Sequence, residues 1–324
     1  MKYFIFHSRM MEVDDQDSQS QSTPMEGFVA RMNNYKILKQ FCTAVNVNSD
    51  GNASVYMKAN GLKMTVEDAK TFQANAFLDH NIFNEFTYTP EDDVGLNLNI
   101  PSILDVLNLF GAKNDYSDLT VQGQDAQGQT VQGQTQTSMF SISPLTSLVL
   151  HYGKYGDPFT LWLEEDGLVT RAALPTRDLE ETLMFDFTKP NLNTKVVLQA
   201  DPLKELFNEI DLSGDYLEIS VNADRNSFGF TTFGSSGDVF TEVPSDSDMV
   251  HSFECRKTAK AKFPMTMIKY ALKSIHMASK VSLRMDQQQI LCLQYLIQFE
   301  TGQCFLEYFF TPQIETEVET QSDD

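Results

Sequence analysis

Apolar and polar residues alternate along most of this chain. Val94, Leu96, Leu98 and Ile100 are interleaved with Gly95, Asn97 and Asn99, a period of two that predicts a half-buried strand. The same alternation recurs at Val55 and Met57, at Leu62, Met64 and Val66, at Leu148, Leu150 and Tyr152, and at Phe159, Leu161 and Leu163. It returns at Leu183, Phe185 and Phe187, at Leu217, Ile219 and Val221, at Val281, Leu283 and Met285, and at Leu306, Tyr308 and Phe310. Short polar turns such as Glu164-Glu165-Asp166-Gly167 join neighbouring runs and point to antiparallel meanders.

Four segments switch to a helical period. The first runs from Asn33 to Val45 with Leu38, Phe41, Cys42 and Val45 on one face. The second opens at Pro101-Ser102, carries Ile103, Val106, Leu107 and Phe110, and stops at Gly111. The third takes Asp201 as N-cap and Pro202 as first helical residue, buries Leu203, Leu206, Phe207 and Ile210, and ends at Gly214. The fourth runs from Met265 to Ser279 with Ile268, Ala271, Leu272 and Ile275 inward. Helix, strands, helix, strands, and then the same again: the order describes a duplicated α+β unit. The first domain is expected at 26–173 and the second at 183–314, with a connecting loop at 174–182.

Three stretches carry too little apolar content to build a core. Residues 1–25 form a polar tail, residues 315–324 an acidic one, and about 112–138 a Gln/Gly/Thr loop with a five-residue repeat (Val121-Gln-Gly-Gln, Ala126-Gln-Gly-Gln, Val131-Gln-Gly-Gln). Tyr3-Phe4-Ile5-Phe6 is too short for a signal-peptide core, and no apolar run approaches membrane-span length, so no membrane role is expected. Cys42, Cys255, Cys292 and Cys304 form no C-x-x-C pair and read as reduced core residues. The histidines lie scattered, and neither a metal nor a cofactor is indicated.

The 324 residues hold 45 Asp and Glu against 24 Lys and Arg, a net charge of −21. That excludes a protein coating nucleic acid with its whole surface, and leaves contact through a segregated basic face. Lys36, Lys39, Gln40 and Thr43 share the polar face of the first helix. Lys269, Lys273, His276 and Lys280 follow helical spacing on the fourth. Lysines on a solvated helix face need no ligand to explain them. If several such helices line a hole, however, they would hold a phosphate backbone without reading bases. The second helix offers Asp105 and Asn108 instead, and the third mixes Lys204 with Glu205 and Asn208.

An ordered series of segments resembles the PCNA-like sliding-clamp family, and more closely the Rad-one subunits of the heterotrimeric checkpoint (nine-one-one) clamp. It comprises 59–70 (Ala59-Asn60-Gly61-Leu62-Lys63-Met64 onward), Gln73-Ala74-Asn75-Ala76-Phe77 and Ile82-Phe83-Asn84-Glu85-Phe86. Leu161-Trp162-Leu163-Glu164-Glu165, 180–187, Thr232-Phe233-Gly234, Lys280-Val281-Ser282-Leu283-Arg284, Leu293-Gln294-Tyr295 and Phe305-Leu306-Glu307-Tyr308-Phe309 continue it. The resemblance covers Glu26 to Pro312 and departs in the Gln/Gly-rich loop and the N-terminal tail.

It implies two similar domains, each with two inner helices on antiparallel sheets. It also implies ring closure with two other clamp subunits through edge strands, and loading by a replication-factor-C-like complex onto damaged or recessed DNA, double-stranded or primer-template. Nuclear localisation and recruitment of checkpoint and repair clients follow from the same resemblance. Carried over from the resemblance, Arg31, Lys39 and Lys273 match basic inner-helix positions; Lys36, Lys269 and Lys280, read from helical spacing, and Lys204 on the third helix join them as expected DNA-facing cations. Leu174, Pro175 and Leu179 correspond to the loop beside the client-peptide pocket, which Pro312 and Ile314 would flank. Ser18-Gln19 and Ser20-Gln21 make Ser18 and Ser20 candidate phosphosites for damage-response kinases.

Catalysis is not expected. A two-metal 3′-5′ exodeoxyribonuclease needs converging carboxylates, whereas Asp92-Asp93, Glu164-Glu165-Asp166 and Glu180-Glu181 read as solvated turns. There is no P-loop and no G-x-S-x-G. The expected function is a non-catalytic clamp subunit; the alternatives are that nuclease and a protein-only adaptor.

Overall fold

The computed structural model describes residues 27–313 apart from 49, 112–146, 166, 189 and 235–236. Ser18, Ser20, the Gln/Gly-rich loop, Ile314 and both tails therefore lie outside the described residues.

The first half runs β1 (Phe28–Met32), α1 (Tyr35–Val45), β2 (Asn52–Lys58), β3 (Gly61–Asp68), β4 (Phe72–Asp79), β5 (Glu85–Tyr88), β6 (Val94–Asn99), α2 (Ile100–Gly111), β7 (Ser147–Tyr152), β8 (Phe159–Glu165) and β9 (Leu168–Leu174). The second half repeats that order: β10 (Leu192–Gln199), α3 (Ala200–Glu209), β11 (Tyr216–Asn222), β12 (Ser227–Gly234), β13 (Gly237–Pro244), β14 (Val250–Cys255), β15 (Ala259–Pro264), α4 (Met265–Lys273), β16 (Lys280–Asp286), β17 (Leu291–Gln298) and β18 (Gln303–Phe310). The α+β duplication expected from the pattern is present.

Three sheets result, of orders β5-β1-β7-β8-β9, β14-β10-β16-β17-β18-β4-β3-β2-β6 and β13-β12-β11-β15. The large one is composite. Its β14-to-β18 part repeats the five-stranded sheet and its β4-to-β6 part repeats the four-stranded one. The two parts are joined where β18 pairs antiparallel with β4, Phe305 opposite Phe77 through Phe310 opposite Phe72. Tyr295 and Tyr308, the largest fully buried side chains, stand beside that joint with ring centroids 5.5 Å apart. Burying two phenols is favourable only because each hydroxyl finds a partner. Tyr295 donates to the Ala271 carbonyl (3.0 Å), and Tyr308 donates to the Ala44 carbonyl (3.1 Å) while accepting from Ser274 Oγ (2.8 Å).

Several boundaries differ from those expected. Asn34, not Asn33, begins the first helix, its side chain accepting from the Lys36 amide. Ile100 closes no strand; it starts α2, where Asn99 Oδ1 accepts from the Ser102 amide. Asp201 is not an N-cap but sits in the first turn of α3 behind Gln199, where its carboxylate favours the helix N-terminus. That helix ends at Glu209, short of Gly214. The fourth helix stops at Lys273 and gives way to a 3₁₀ turn, Ile275–Met277, before β16 begins at Lys280. Leu183, Phe185 and Phe187 belong to no strand; the connection from β9 to β10 spans residues 175–191 and contains them.

Candidate nucleic-acid interface and connecting strap

The helices lie on the sheets with their apolar stripes inward. α1 packs on β3 and β4, α3 on β10, and α4 on β11 and β15. α1 also touches α2 on one side and α4 on the other, which makes it the central member of the row. The seam between α1 and α4 is a groove of about 500 Å³ lined by Lys36, Lys39, Gln40, Tyr270, Lys273 and His276, among others. Lys36 and Lys39 of α1 thus share the groove with Lys273 of α4, a helix distant in sequence, while Lys269, exposed one turn earlier on α4, does not line it. Tyr308 fixes this seam from below: its hydroxyl bridges the end of α1 at Ala44 and the end of α4 at Ser274. Inside the groove, Lys273 Nζ lies 5.2 Å from the Tyr270 ring centroid, and His276 Nδ1 donates to the Lys273 carbonyl (2.7 Å).

The other predicted cations do not join them. Arg31 lies on β1, not on an inner helix, with its Nε 3.5 Å from Glu85. Lys280 opens β16, outside the helical stripe its spacing suggested, and its Nζ stands 3.4 Å from His251 Nε2. Lys204 is exposed on α3 among Asp201, Glu205 and Glu209. α2 exposes Asp105 and Asn108. The row therefore concentrates positive charge on its two middle helices.

The connection from β9 to β10 forms a strap across the large sheet. Leu174, buried, ends β9, Pro175 is exposed, and Arg177 pairs with Asn97 on the edge of β6 through two backbone hydrogen bonds (2.9 and 3.1 Å). Leu179 then closes over Gly95, where a Cβ would stand 3.0 Å from its Cδ2. Further on, Glu67 of β3 accepts from the Leu183 amide (2.5 Å) and from Gln73 Nε2 (2.7 Å), while Gln73 also donates to the Leu183 carbonyl (2.9 Å). Phe185 and Phe187 pack on Phe309 of β18, at centroid distances of 4.8 and 5.4 Å. Met184 is left 92% exposed. The sequence reading missed Glu67, Gln73 and Phe309, which fasten the strap. Pro312 lines a groove along β15, beside Lys260 and Lys262.

Among the described residues no three His, Cys, Asp or Glu side chains converge to hold a metal ion. Asp93, from one suspected carboxylate cluster, pairs with Lys58 at 2.5 Å.

Comparison with known proteins agrees with this geometry. The family model described as repair protein Rad1/Rec1/Rad17 matches residues 27–297. The mouse cell cycle checkpoint protein RAD1 is 35% identical over 86% of this chain and 94% of its own length. The human protein of that name is 33% identical over 94% and 96%. In fold, the chain superposes on the proliferating cell nuclear antigen of Entamoeba histolytica with a TM-score of 0.63, at 16% identity over 90% of this chain and 100% of that one.

Proposed function

The chain belongs to the Rad1/Rec1/Rad17 family of repair proteins and has the fold of a DNA sliding clamp, and we propose on that premise that it is one non-catalytic subunit of a heterotrimeric ring around DNA. The observation that carries the ring is the internal joint. β18 and β4 are the last strand of one repeat unit and the first of the other, and they pair inside the chain. Their counterparts, β9 in the first half and β13 in the second, end their sheets. Both end strands expose large apolar side chains: Leu168 and Val169 on β9, Val239 and Phe240 on β13, each more than half exposed. Long apolar edges are a liability unless covered. Repeating the β18–β4 joint between subunits covers both, and repetition of one head-to-tail joint closes a ring.

In this reading the partners are two other checkpoint-clamp subunits, because nothing requires one chain to supply every contact to DNA. Lys36, Lys39, Lys269 and Lys273 face the enclosed duplex and hold it by phosphate charge, which permits sliding. Lys204, Arg31 and Lys280 contribute little. The strap from Leu174 through Leu179 to Phe187 presents the client-facing surface, a nuclear checkpoint role follows, and a replication-factor-C-like loader opens the ring. Support for a non-catalytic role comes from the family.

The test is assembly. Co-expressed with the two partner subunits, the chain is expected to elute as a 1:1:1 complex in size-exclusion chromatography with light scattering. Phe240→Asp or Val169→Pro is expected to abolish one joint each. A chain indifferent to both partners would overturn the ring.

A further inference from the structure

Both free edges carry charge without an internal partner. Arg171, exposed at the middle of β9, has its guanidinium carbon 4.5 Å from the centre of the Trp162 ring on β8. His151 of β7 stacks on the same indole at a centroid distance of 5.9 Å. The indole thus holds the guanidinium on the outer face of the sheet. Glu164 is the next outward residue of β8, yet no carboxylate among the described residues lies within ion-pair distance of Arg171. On β13, Asp238 and Glu242 flank Phe240 on the outward face, and all three are exposed. Phe240 lies across Gly229 of β12, where a Cβ would stand 2.5 Å from its Cε2. Glu242 accepts from Ser227 Oγ at 2.6 Å, and neither carboxylate joins an ion pair among the described residues.

The internal joint fixes how such edges meet. Arg171 stands three residues before the end of β9, as Glu307 does before the end of β18. Phe240 is the fourth residue of β13, as Asn75 is of β4. Glu307 and Asn75 are directly opposite each other across the joint. A head-to-tail repeat therefore sets the Arg171 place of one subunit opposite the Phe240 place of the next, with the Asp238 and Glu242 places diagonal to it. Diagonal neighbours lie about 7–8 Å apart, within reach of an arginine.

We propose that the joints between subunits are charge-coded: β9 accepts a strand with carboxylates flanking the place opposite Arg171, and β13 accepts one with a cation over Phe240, between Asp238 and Glu242. The inference rests on the ring reading and adds the chemistry of its two neighbours. Each edge points to the code by itself. A guanidinium resting on an indole keeps its N–H donors for carboxylates. An aromatic ring between two carboxylates is a seat for a cation. The register then brings the two to one spot. The internal joint differs: its Glu307 accepts from Gln294 at 2.7 Å and meets amides, with Asn75 opposite and Gln73 diagonal. An acidic edge of that kind brought to β13 would stand between two like charges, so the code also rejects a wrong neighbour.

Pairwise binding of the full chain to each of the two partner subunits, over a salt series, tests it. The partner on β9 is the one whose binding Val169→Pro abolishes. Arg171→Met keeps a stem over Trp162 and removes the charge. It is expected to weaken that partner about tenfold at low salt, with the gap narrowing as salt rises, while Arg171→Lys stays within about threefold of the parent. Asp238→Asn with Glu242→Gln is expected to weaken the other partner by a similar factor and to leave the β9 partner unchanged. Equal low-salt affinity for Arg171→Met and the parent, or a loss that salt does not alter, would overturn the code and leave the ring standing; the charges would then only guard free edges. If neither partner binds the parent chain, the ring and the code fall together.

Discussion

Phe185 stacks on Phe309 with ring centroids 4.8 Å apart and planes 10° from parallel. The contact joins the strap to β18, the strand at the joint between halves, so it couples the connection to the part of the sheet that both halves share. Aromatic stacking and the apolar area it covers together stabilise by about 1–3 kcal/mol. Phe185→Ala is expected to lower unfolding stability by about that amount in urea titrations. It should also speed hydrogen exchange across residues 180–187 while leaving β1 unchanged. Unaltered exchange in the strap would show that Glu67 and Gln73 hold it without the ring contact.

The far end of the strap is closed by Asp186, whose carboxylate accepts from the Thr188 amide (2.9 Å) and from Asn191 Nδ2 (2.6 Å). The Thr188 backbone N–H, with its side chain and that of Asn191 adding to it, holds the carboxyl below its ordinary 3.8. The folded chain therefore binds this proton less readily than the unfolded chain does. Its stabilising contribution is present above pH 3.8 and is lost as the pH falls through the lower folded value. Asp186→Asn is expected to be less stable than the parent at neutral pH, with the gap closing in acid. Urea midpoints measured from pH 7 down to pH 2.5 check this, and a gap constant with pH would count against the hydrogen-bonded carboxylate.

The duplicated order of elements was legible because both periods are strong: Leu62, Met64 and Val66 alternate cleanly, and Leu38, Phe41, Cys42 and Val45 define a helix stripe. A connection at 174–182 was expected from the sequence, but its continuation through Leu183, Phe185 and Phe187 was not legible, and the reason is physical. An extended segment laid on a sheet turns every second side chain toward it just as a strand does, so Phe185 and Phe187, half-buried on Phe309, carry a strand's pattern together with the exposed Leu183. What distinguishes it is that side chains of Glu67 and Gln73, not a neighbouring backbone, satisfy Leu183. Lys280 misled for a related reason. The 3₁₀ turn after Lys273 keeps Ile275 buried in step with the helix, so the period outlasts the helix itself. That Lys36 and Lys273 would line one groove required the tertiary seam, which the Tyr308 hydroxyl, the stacking of Tyr270 on Phe72 and the β18–β4 joint hold together.

That seam sets a quantitative expectation for DNA. Each phosphate left without its cation lowers the slope of log affinity against log salt by about 0.9. Removing Lys39 and Lys273 together from the assembled ring is expected to reduce the slope by about 2, uniformly across DNA sequences. Lys204→Ala, on a helix already rich in Asp and Glu, should leave it nearly unchanged. Fluorescence anisotropy over a salt series makes the measurement, and equal effects from Lys204 and Lys273 would spread the DNA-binding surface over the whole helix row.

Rigidity of the same face is open to a chemical probe. Cys42 is on the inward face of α1, its Sγ 3.9 Å from Met64 Sδ of β3, and burial pushes its thiol up to about 12. Burial does the same to Cys304, and Cys292 is raised well above the ordinary range by burial as well. Cys255, half-buried on β14, is the exception in position. At pH 8 a thiol near 12 is about 0.01% thiolate, so Cys42 reacts only when α1 lifts from the sheet. Iodoacetamide on the native chain is expected to label Cys255 at least tenfold faster than the other three, with the difference lost in denaturant. The residual rate at Cys42 then reports how often α1 opens. Because α1 carries Lys36 and Lys39, Phe41→Ala should raise Cys42 labelling and weaken DNA binding together. Faster labelling with undiminished DNA affinity would mean that the lysines act without a fixed helix beneath them.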